Sequence, residues 1–307
     1  MSPAGAPAQA VNASAPGRLE LSGRGEGPRL SVALDRRASC RVEPIPHGLE
    51  IEAKEALTKA SARDVGELLD RSPRSLAAQA LAVLGAGAGL RVVTDWKVPA
   101  GSGIHGDAAL ALATTAAVSV ALGRESEPEA LVALAREVAA RAGRTDDHGL
   151  HSALFGGVVL ARGREGALEA ERLGVDPGRV DECLLVVDGG APEAPRAAVA
   201  RGDAAVEASL TGRIVEALRG GRYEEVVDLV AQEAGPDAAG PGQGRIVDLV
   251  RAAGGAAWRL DGGRLVAVWA PPGERGPGRR EAVETALKAA GLKPLAVRVD
   301  LRGLELD

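Results

Sequence analysis

Across residues 17–42 apolar side chains recur at every second position, as Leu19 and Leu21 and then Leu30, Val32 and Leu34. A period of two predicts two half-buried strands. The run Gly23-Arg24-Gly25-Glu26-Gly27-Pro28 between them predicts a hairpin with a glycine tip. Residues 49–53 read as another strand, residues 76–84 as a helix ending at Gly85, and residues 90–96 as a strand. A continuous apolar run over residues 108–122, interrupted by Thr114, Thr115 and Ser119, predicts a buried helix too short to span a bilayer. Glu127-Pro128 opens a further helix, with Leu131, Leu134, Ala135 and Val138 at helical spacing, which stops near Gly143. Residues 144–157 are polar and end in Gly156-Gly157, ahead of a strand over residues 158–161.

In the second half, residues 183–187 form an apolar strand closed by Asp188-Gly189-Gly190, and helical patterns cover residues 204–219 and 223–232. Residues 235–244, rich in Gly and Pro, read as a flexible connector. A helix over residues 245–253, a strand over 265–269, a loop over 271–278, a helix over 279–290 and a terminal strand over 295–299 complete the chain. Strands and helices follow one another in mixed order, which predicts an α+β fold.

Composition narrows the function. The 307 residues are 46% hydrophobic, enough for one large domain or two smaller ones. Aromatic residues make up 2%, so Ala, Leu and Val fill the core and Trp96, Trp258 and Trp269 are rare large anchors. The net charge of −5, with Lys and Arg scattered, speaks against a nucleic-acid partner. Cys40 and Cys183 are far apart and lack metal or redox spacing, as simple thiols in a reducing cytoplasm do. Residues 1–14 carry neither a basic segment nor an apolar run and are expected to be a disordered lead-in. Cytoplasmic localisation without a membrane partner is expected.

The chemistry concentrates in Val98-Pro99-Ala100-Gly101-Ser102-Gly103-Ile104-His105-Gly106-Asp107, a glycine-rich turn running into the long apolar helix. Small residues let backbone N–H groups approach an anion, and a helix N-terminus adds about half a positive charge at the same point. Asp107 conflicts with this layout, because it sets a carboxylate where a phosphate would sit.

Three segments together resemble the GHMP small-molecule kinases, the superfamily of galactokinase, homoserine kinase, mevalonate kinase and heptose 7-phosphate kinase. Ala15-Pro16-Gly17-Arg18, with its apolar strand and Gly23, is similar to the family's opening motif. The segment from Pro99 to Ala109 resembles the nucleotide loop, P-x-G-x-G-L-G-S-S-A-A. The segment from Arg251 through Asp261-Gly262-Gly263-Arg264, followed by the strand over 265–269 and Pro271-Pro272, resembles the late glycine motif. The ending over residues 295–306 is most similar to the heptose-kinase branch.

The resemblance implies a two-lobed α+β fold: a ribosomal-protein S5-like half over residues 15–165 and a ferredoxin-like half over 166–307. It further implies ATP with Mg²⁺, and nucleotide contacts from Pro99, Gly101, Ser102, Gly103, Ile104, His105, Gly106 and Asp107. Arg18 would neutralise charge on the transferred phosphoryl group or lower the acceptor hydroxyl's pKa. Family members are often dimers, so a homodimer is an expectation of the resemblance.

The departures fall on the chemical positions. Where the family loop carries Ser-Ser, this chain has Gly106-Asp107. Two like charges 4 Å apart repel by about 4 kcal/mol at an effective dielectric of 20. Bare Asp107 would thus oppose a triphosphate; with Mg²⁺ between them it becomes a metal ligand; the plain alternative is a first-turn or N-cap carboxylate answering the helix dipole. Aligning Gly156-Gly157 on the family's A-x-x-G-G puts Gly149 at the catalytic aspartate's position. Asp146 or Asp147 supplies the base if the loop is longer, His148 or His151 acts near neutral pH, or the segment is a solvated loop. Gly262 and Gly263 retain part of the late motif, but Trp258 and Arg259 are bulky where small residues are usual. Glu137, on the preceding helix, fits the family's Mg²⁺-binding glutamate poorly in spacing.

Three functions follow. One is ATP-dependent phosphotransfer to a small metabolite, such as a sugar or sugar phosphate. A second is a pseudokinase that keeps the fold and binds a partner protein. Other phosphate-ester chemistry in the same cleft is the third.

Overall fold

The computed structural model describes residues 9–23, 27–98, 102–124, 127–144, 147–163, 168–190, 204–234, 241–260, 263–273 and 278–307. The predicted hairpin is its longest feature: β1 (Val11–Ser22) pairs antiparallel with β2 (Arg29–Pro44) from Val11 opposite Val42 to Ser22 opposite Leu30. The strand begins at Val11, inside the segment expected as a disordered lead-in, because Ala13 and Ala15 are buried against the core. A short hairpin follows, β3 (Leu49–Ala53) and β4 (Thr58–Ala62), then α1 (Val65–Arg71) and α2 (Leu76–Val83). Asp64 and Ser75 cap these two helices by accepting the backbone N–H of Glu67 and of Ala78.

β5 (Leu90–Trp96) leads to the glycine turn and to α3 (Asp107–Ala121), and α4 (Pro128–Arg141) starts at its expected proline. The segment read as polar or as a solvated loop contains a helix, α5 (Asp147–Phe155). Leu150 and Ala153, three apart, are buried on its inner face, and Gly156 and Gly157 end it at φ of 65° and 75°. β6 (Val158–Arg162) and β7 (Glu169–Arg172) form a hairpin that extends the sheet from β2.

α6 (Pro177–Cys183) precedes β8 (Leu184–Asp188), so Cys183 closes a helix and does not open the strand. α7 (Ala204–Arg219) and α8 (Tyr223–Ala234) match their patterns. α9 (Pro241–Ala252) begins inside the expected connector, since proline suits a first helical turn. β9 (Ala256–Arg259) and β10 (Leu265–Trp269) make a hairpin, and α10 (Arg279–Ala289) follows. The expected terminal strand shrinks to β11 (Pro294–Leu295), with Val299 bridging to Leu34, and the chain closes with β12 (Glu305–Leu306).

Among the described residues these strands form two sheets. The first has eight strands, ordered β12-β1-β2-β5-β3-β4, with β6 attached to β2 and β7 to β6, and β3–β5 is its parallel pair. The second, β11-β8-β10-β9, is antiparallel throughout; numbered from its own first strand the order is 4-1-3-2, that of a ferredoxin-like sheet. β7 and β12 belong to the first sheet although both come from the half expected to start at residue 166, so the sheet boundary and that sequence boundary do not coincide. The two-lobed α+β expectation holds.

Three apolar clusters layer the molecule. One packs α1 to α5 on the first sheet, through residues such as Leu81, Val92, Leu112, Val138 and Leu150. A second joins Leu19, Leu21, Leu30 and Val32 of the first sheet to Val186, Ile214, Val226, Trp258 and Trp269, and so locks the lobes together. The third covers the far face of the second sheet with α9 and α10. Trp258 and Trp269 are buried anchors, and the Trp269 indole N–H donates to the Tyr223 carbonyl at 3.1 Å. Cys40 and Cys183 are free, buried thiols. No helix among the described residues is long and apolar enough to cross a membrane.

Candidate functional site

β1 delivers Arg18 to the centre of the molecule. Arg18 is 2% exposed, and its main chain exchanges two hydrogen bonds with His105, at 3.1 and 3.0 Å. This bridge fastens the glycine turn onto β1. On its other side the turn is fastened to the β9–β10 hairpin, because the Leu265 N–H donates to the Ser102 carbonyl at 3.1 Å. Ser102 is buried, and its Oγ accepts the Ile104 N–H at 3.2 Å.

The glycines of the turn have definite packing partners. Gly103 has φ of 85°, and a Cβ there would meet Leu260 and lie 3.1 Å from the Gly263 Cα. A Cβ at Gly263 would in turn strike the backbone of Ser102 and Gly103. The late glycine motif therefore approaches the turn backbone to backbone. A Cβ at Gly106 would fall on the Trp96 indole, which also crowds Gly17. Gly263 is further held by Gln243, a fully buried side chain whose Nε2 donates to the Gly263 carbonyl at 3.0 Å. Pro99, Gly101 and Gly262 lie outside the described residues, as does Asp146.

Asp107 is the first helical residue of α3, and Gly106 is its N-cap without any side-chain cap. The first N–H groups of α3 thus carry their partial positive charge uncapped by a side chain. Asp107 is exposed and ion-paired with Arg144. Among the described residues no group of three or more His, Cys, Asp or Glu is arranged to hold a metal. Glu137 is ion-paired with Arg141 on the exposed side of α4.

α5 carries the other candidates. His148 is buried, Ser152 bonds Ser31 of β2 at 2.5 Å, and the His151 ring lies 6.3 Å from that of Phe155. The side chain of Asp147 lies outside what the structure describes.

A cleft of about 430 Å³, counted with its open mouth, lies between the end of β1, the glycine turn, α8 and β9. Glu20, Ser22, His105, Glu233, Trp258 and Arg259 supply its polar and aromatic lining. Of the residues singled out from the sequence as catalytic or nucleotide-binding, His105 lines it directly; Arg18 reaches it through an ion pair to Glu20 at 3.3 Å. None of the lining comes from α5. Glu20, Glu233 and Arg144 were missed. For Glu20 a signal existed: it stands two residues after Arg18, so the period of two places both on one face of β1. Glu233 and Arg144 arrive from distant elements and leave no local pattern.

No protein-family model matches this sequence, and no curated protein does. Solved structures do match. The chain is similar to a D-glycero-D-manno-heptose 1-phosphate kinase from Bacteriodes thetaiotaomicron, with 17% identity, 97% of this chain and 98% of that one covered, and a TM-score of 0.75. It is similar to a galactokinase from Lactococcus lactis complexed with galactose, with 12% identity, 98% and 95% covered, and a TM-score of 0.72. A homoserine kinase from Cytophaga hutchinsonii matches with 17% identity, 97% and 98% covered, and a TM-score of 0.70. At such identities the likeness is one of fold, and the chain has the two-lobed fold of the GHMP kinases over nearly its whole length.

Proposed function

We propose that this chain transfers the terminal phosphoryl group of ATP to a small metabolite of the sugar or sugar-phosphate class. The observation that carries this reading is the Arg18–His105 bridge, which sets the glycine turn and the uncapped start of α3 beside a polar cleft. Phosphoryl transfer depends mainly on positioning and charge neutralisation, and a buried guanidinium between turn and cleft serves both. In this reading residues 99–107 hold the nucleotide, Arg18 answers the charge on the moving phosphoryl group, and Gly262 and Gly263 back the turn. Asp146, Asp147, His148 and His151 are the α5-side candidates for the base. The heptose 1-phosphate kinase and galactokinase among the structural relatives support a sugar-class acceptor.

A second reading, a pseudokinase that binds a partner protein, is favoured by one observation: Gly103 and Gly106 face protein, and Asp107 occupies the start of α3. Thermal unfolding with ATP, with and without Mg²⁺, on wild type and Asp107→Ser separates the two. The kinase reading expects wild type to gain about 2.7 kcal/mol at a ligand concentration of 100 Kd. It also expects phosphate transfer from γ-labelled ATP to a member of a hexose and hexose-phosphate panel. A variant that responds to ATP while wild type does not would leave the pseudokinase.

A further inference from the structure

We propose that Gln243 is a positioning residue for the nucleotide: its side chain fixes Gly263 and, through Gly263, the backbone of Ser102 and Gly103 in the glycine turn. The inference rests on the phosphotransfer reading above, in which that turn holds ATP.

Gln243 stands in the first turn of α9 and is fully buried. Its place is left open by a glycine: a Cβ at Gly189, just past the end of β8, would lie 2.8 Å from the Gln243 Cγ. From there Nε2 donates to the Gly263 carbonyl at 3.0 Å. Gly263 in turn meets the glycine turn without any side chain between, since a Cβ on it would strike the Ser102 carbonyl oxygen and the Gly103 N and Cα. The amide thus holds the Gly263 carbonyl, and the turn's own backbone stops its Cα. The residues that follow are tied separately, because Arg264 Nε donates to Asp188 Oδ1 at 3.0 Å and the Leu265 N–H to the Ser102 carbonyl at 3.1 Å.

The other half of the Gln243 amide sets it apart from ordinary packing. Oε1 is buried and has no hydrogen-bond partner among the described residues. An unmet buried acceptor lowers stability, and buried polar groups as a rule avoid that state. Methionine or leucine, of similar volume, would fill the same place without that cost. Stability therefore argues against glutamine here. What glutamine supplies and an apolar side chain lacks is the donor to Gly263. A turn that grips phosphate through backbone N–H groups needs them ordered before the ligand arrives, because freedom lost on binding is subtracted from affinity.

The test uses the full chain as wild type, Gln243→Met and Gln243→Leu, with ATP and Mg²⁺ as the probe. Calorimetry measures ATP affinity, thermal unfolding the stability of the free protein, and amide exchange the order of residues 102–106 against that of β8. Gln243→Met is expected to melt at or above the wild-type temperature and yet bind ATP about tenfold more weakly. Its amides over residues 102–106 exchange faster, and those of β8 are unchanged. Gln243→Leu repeats the measurement with a differently shaped side chain. A stable apolar variant with wild-type affinity and exchange overturns the role of Gln243 and leaves the phosphotransfer reading standing. Lowered melting in both variants, with exchange quickened throughout, makes Gln243 a structural residue and equally overturns the proposal. A wild type that does not bind ATP overturns the phosphotransfer reading, and the positioning role with it.

Discussion

Asp107, the first residue of α3, is ion-paired with Arg144, 37 residues further along the chain. The carboxylate that stands in the glycine turn therefore has its charge answered by a cation from just before α5. The pair is exposed, at 58% for Asp107 and 38% for Arg144, so it contributes little to stability, about 0–1 kcal/mol. Its weight falls on what binds beside it. An anion arriving at the start of α3 meets a neutral pair and not a bare negative charge.

Arg144→Ala exposes Asp107 and is predicted to weaken ATP binding about tenfold, while Asp107→Ser frees Arg144 for phosphate and tightens it by a similar factor. Calorimetric titration of both variants and the double variant checks this. Equal affinities across the set would show that phosphate does not come near the pair.

Gly106 is fixed by an indole. Its φ suits any residue, but an added methyl group lands on the Trp96 ring. Gly106→Ala is predicted to cost about 1–3 kcal/mol in urea unfolding, the range for overpacking. Trimming the neighbour in a Gly106→Ala/Trp96→Leu variant should recover part of that loss relative to Trp96→Leu alone. Independent, additive costs would refute the contact.

The end of α5 is locked to the C-terminal segment. Gly303 has φ of 65°, and a Cβ there would strike the Leu154 carbonyl; a Cβ at Gly156 would lie 2.7 Å from the Asp300 carbonyl oxygen. Asp300 is itself buried and bonds Arg37 at 2.6 Å. Gly303→Ala combines a left-handed backbone with a backbone collision and is predicted to destabilise by about 2–4 kcal/mol. Amide exchange should quicken in α5 before it does in β8. Uniform exchange through both elements would argue against this lock.

Burial pushes the Cys40 thiol up to about 12, and burial likewise pushes Cys183 to about 12. Unfolded thiols ionise near pH 9, so between about pH 9 and 12 the unfolded chain has lost protons that the folded chain keeps. Stability is therefore predicted to be unaffected by these thiols below pH 9 and to fall above it, by about 1.4 kcal/mol per pH unit for each thiol. Replacing either cysteine by alanine should shallow that slope. Thiol reagents should label neither residue in the folded chain; rapid labelling at neutral pH would contradict the burial.

Most of the secondary structure was legible in the chain because it is locally encoded. The alternation at Leu19, Leu21, Leu30, Val32 and Leu34 described a hairpin, and the strand over residues 90–96 and the helix over 204–219 lie where periodicity set them. α5 was hidden because its polar first turn outweighed Leu150 and Ala153 in a short window. The start of α9 was hidden because Pro and Gly are read as breakers when no packing partner is known. β7 and β12 are short and exposed, and only their pairing with β6 and β1 makes them strands.

By itself, then, the sequence determined most of the longer strands and helices, the α+β class and the likeness to a kinase superfamily, because periodicity and short motifs are properties of neighbouring residues. The tertiary structure alone decided that Gly106 serves Trp96, that Gly263 serves Gly103, that Arg144 answers Asp107, and that Glu233 shares a cleft with Glu20. Those partnerships join residues from separate elements of the chain, and no local pattern of one element specifies which side chain of another will meet it once both are packed.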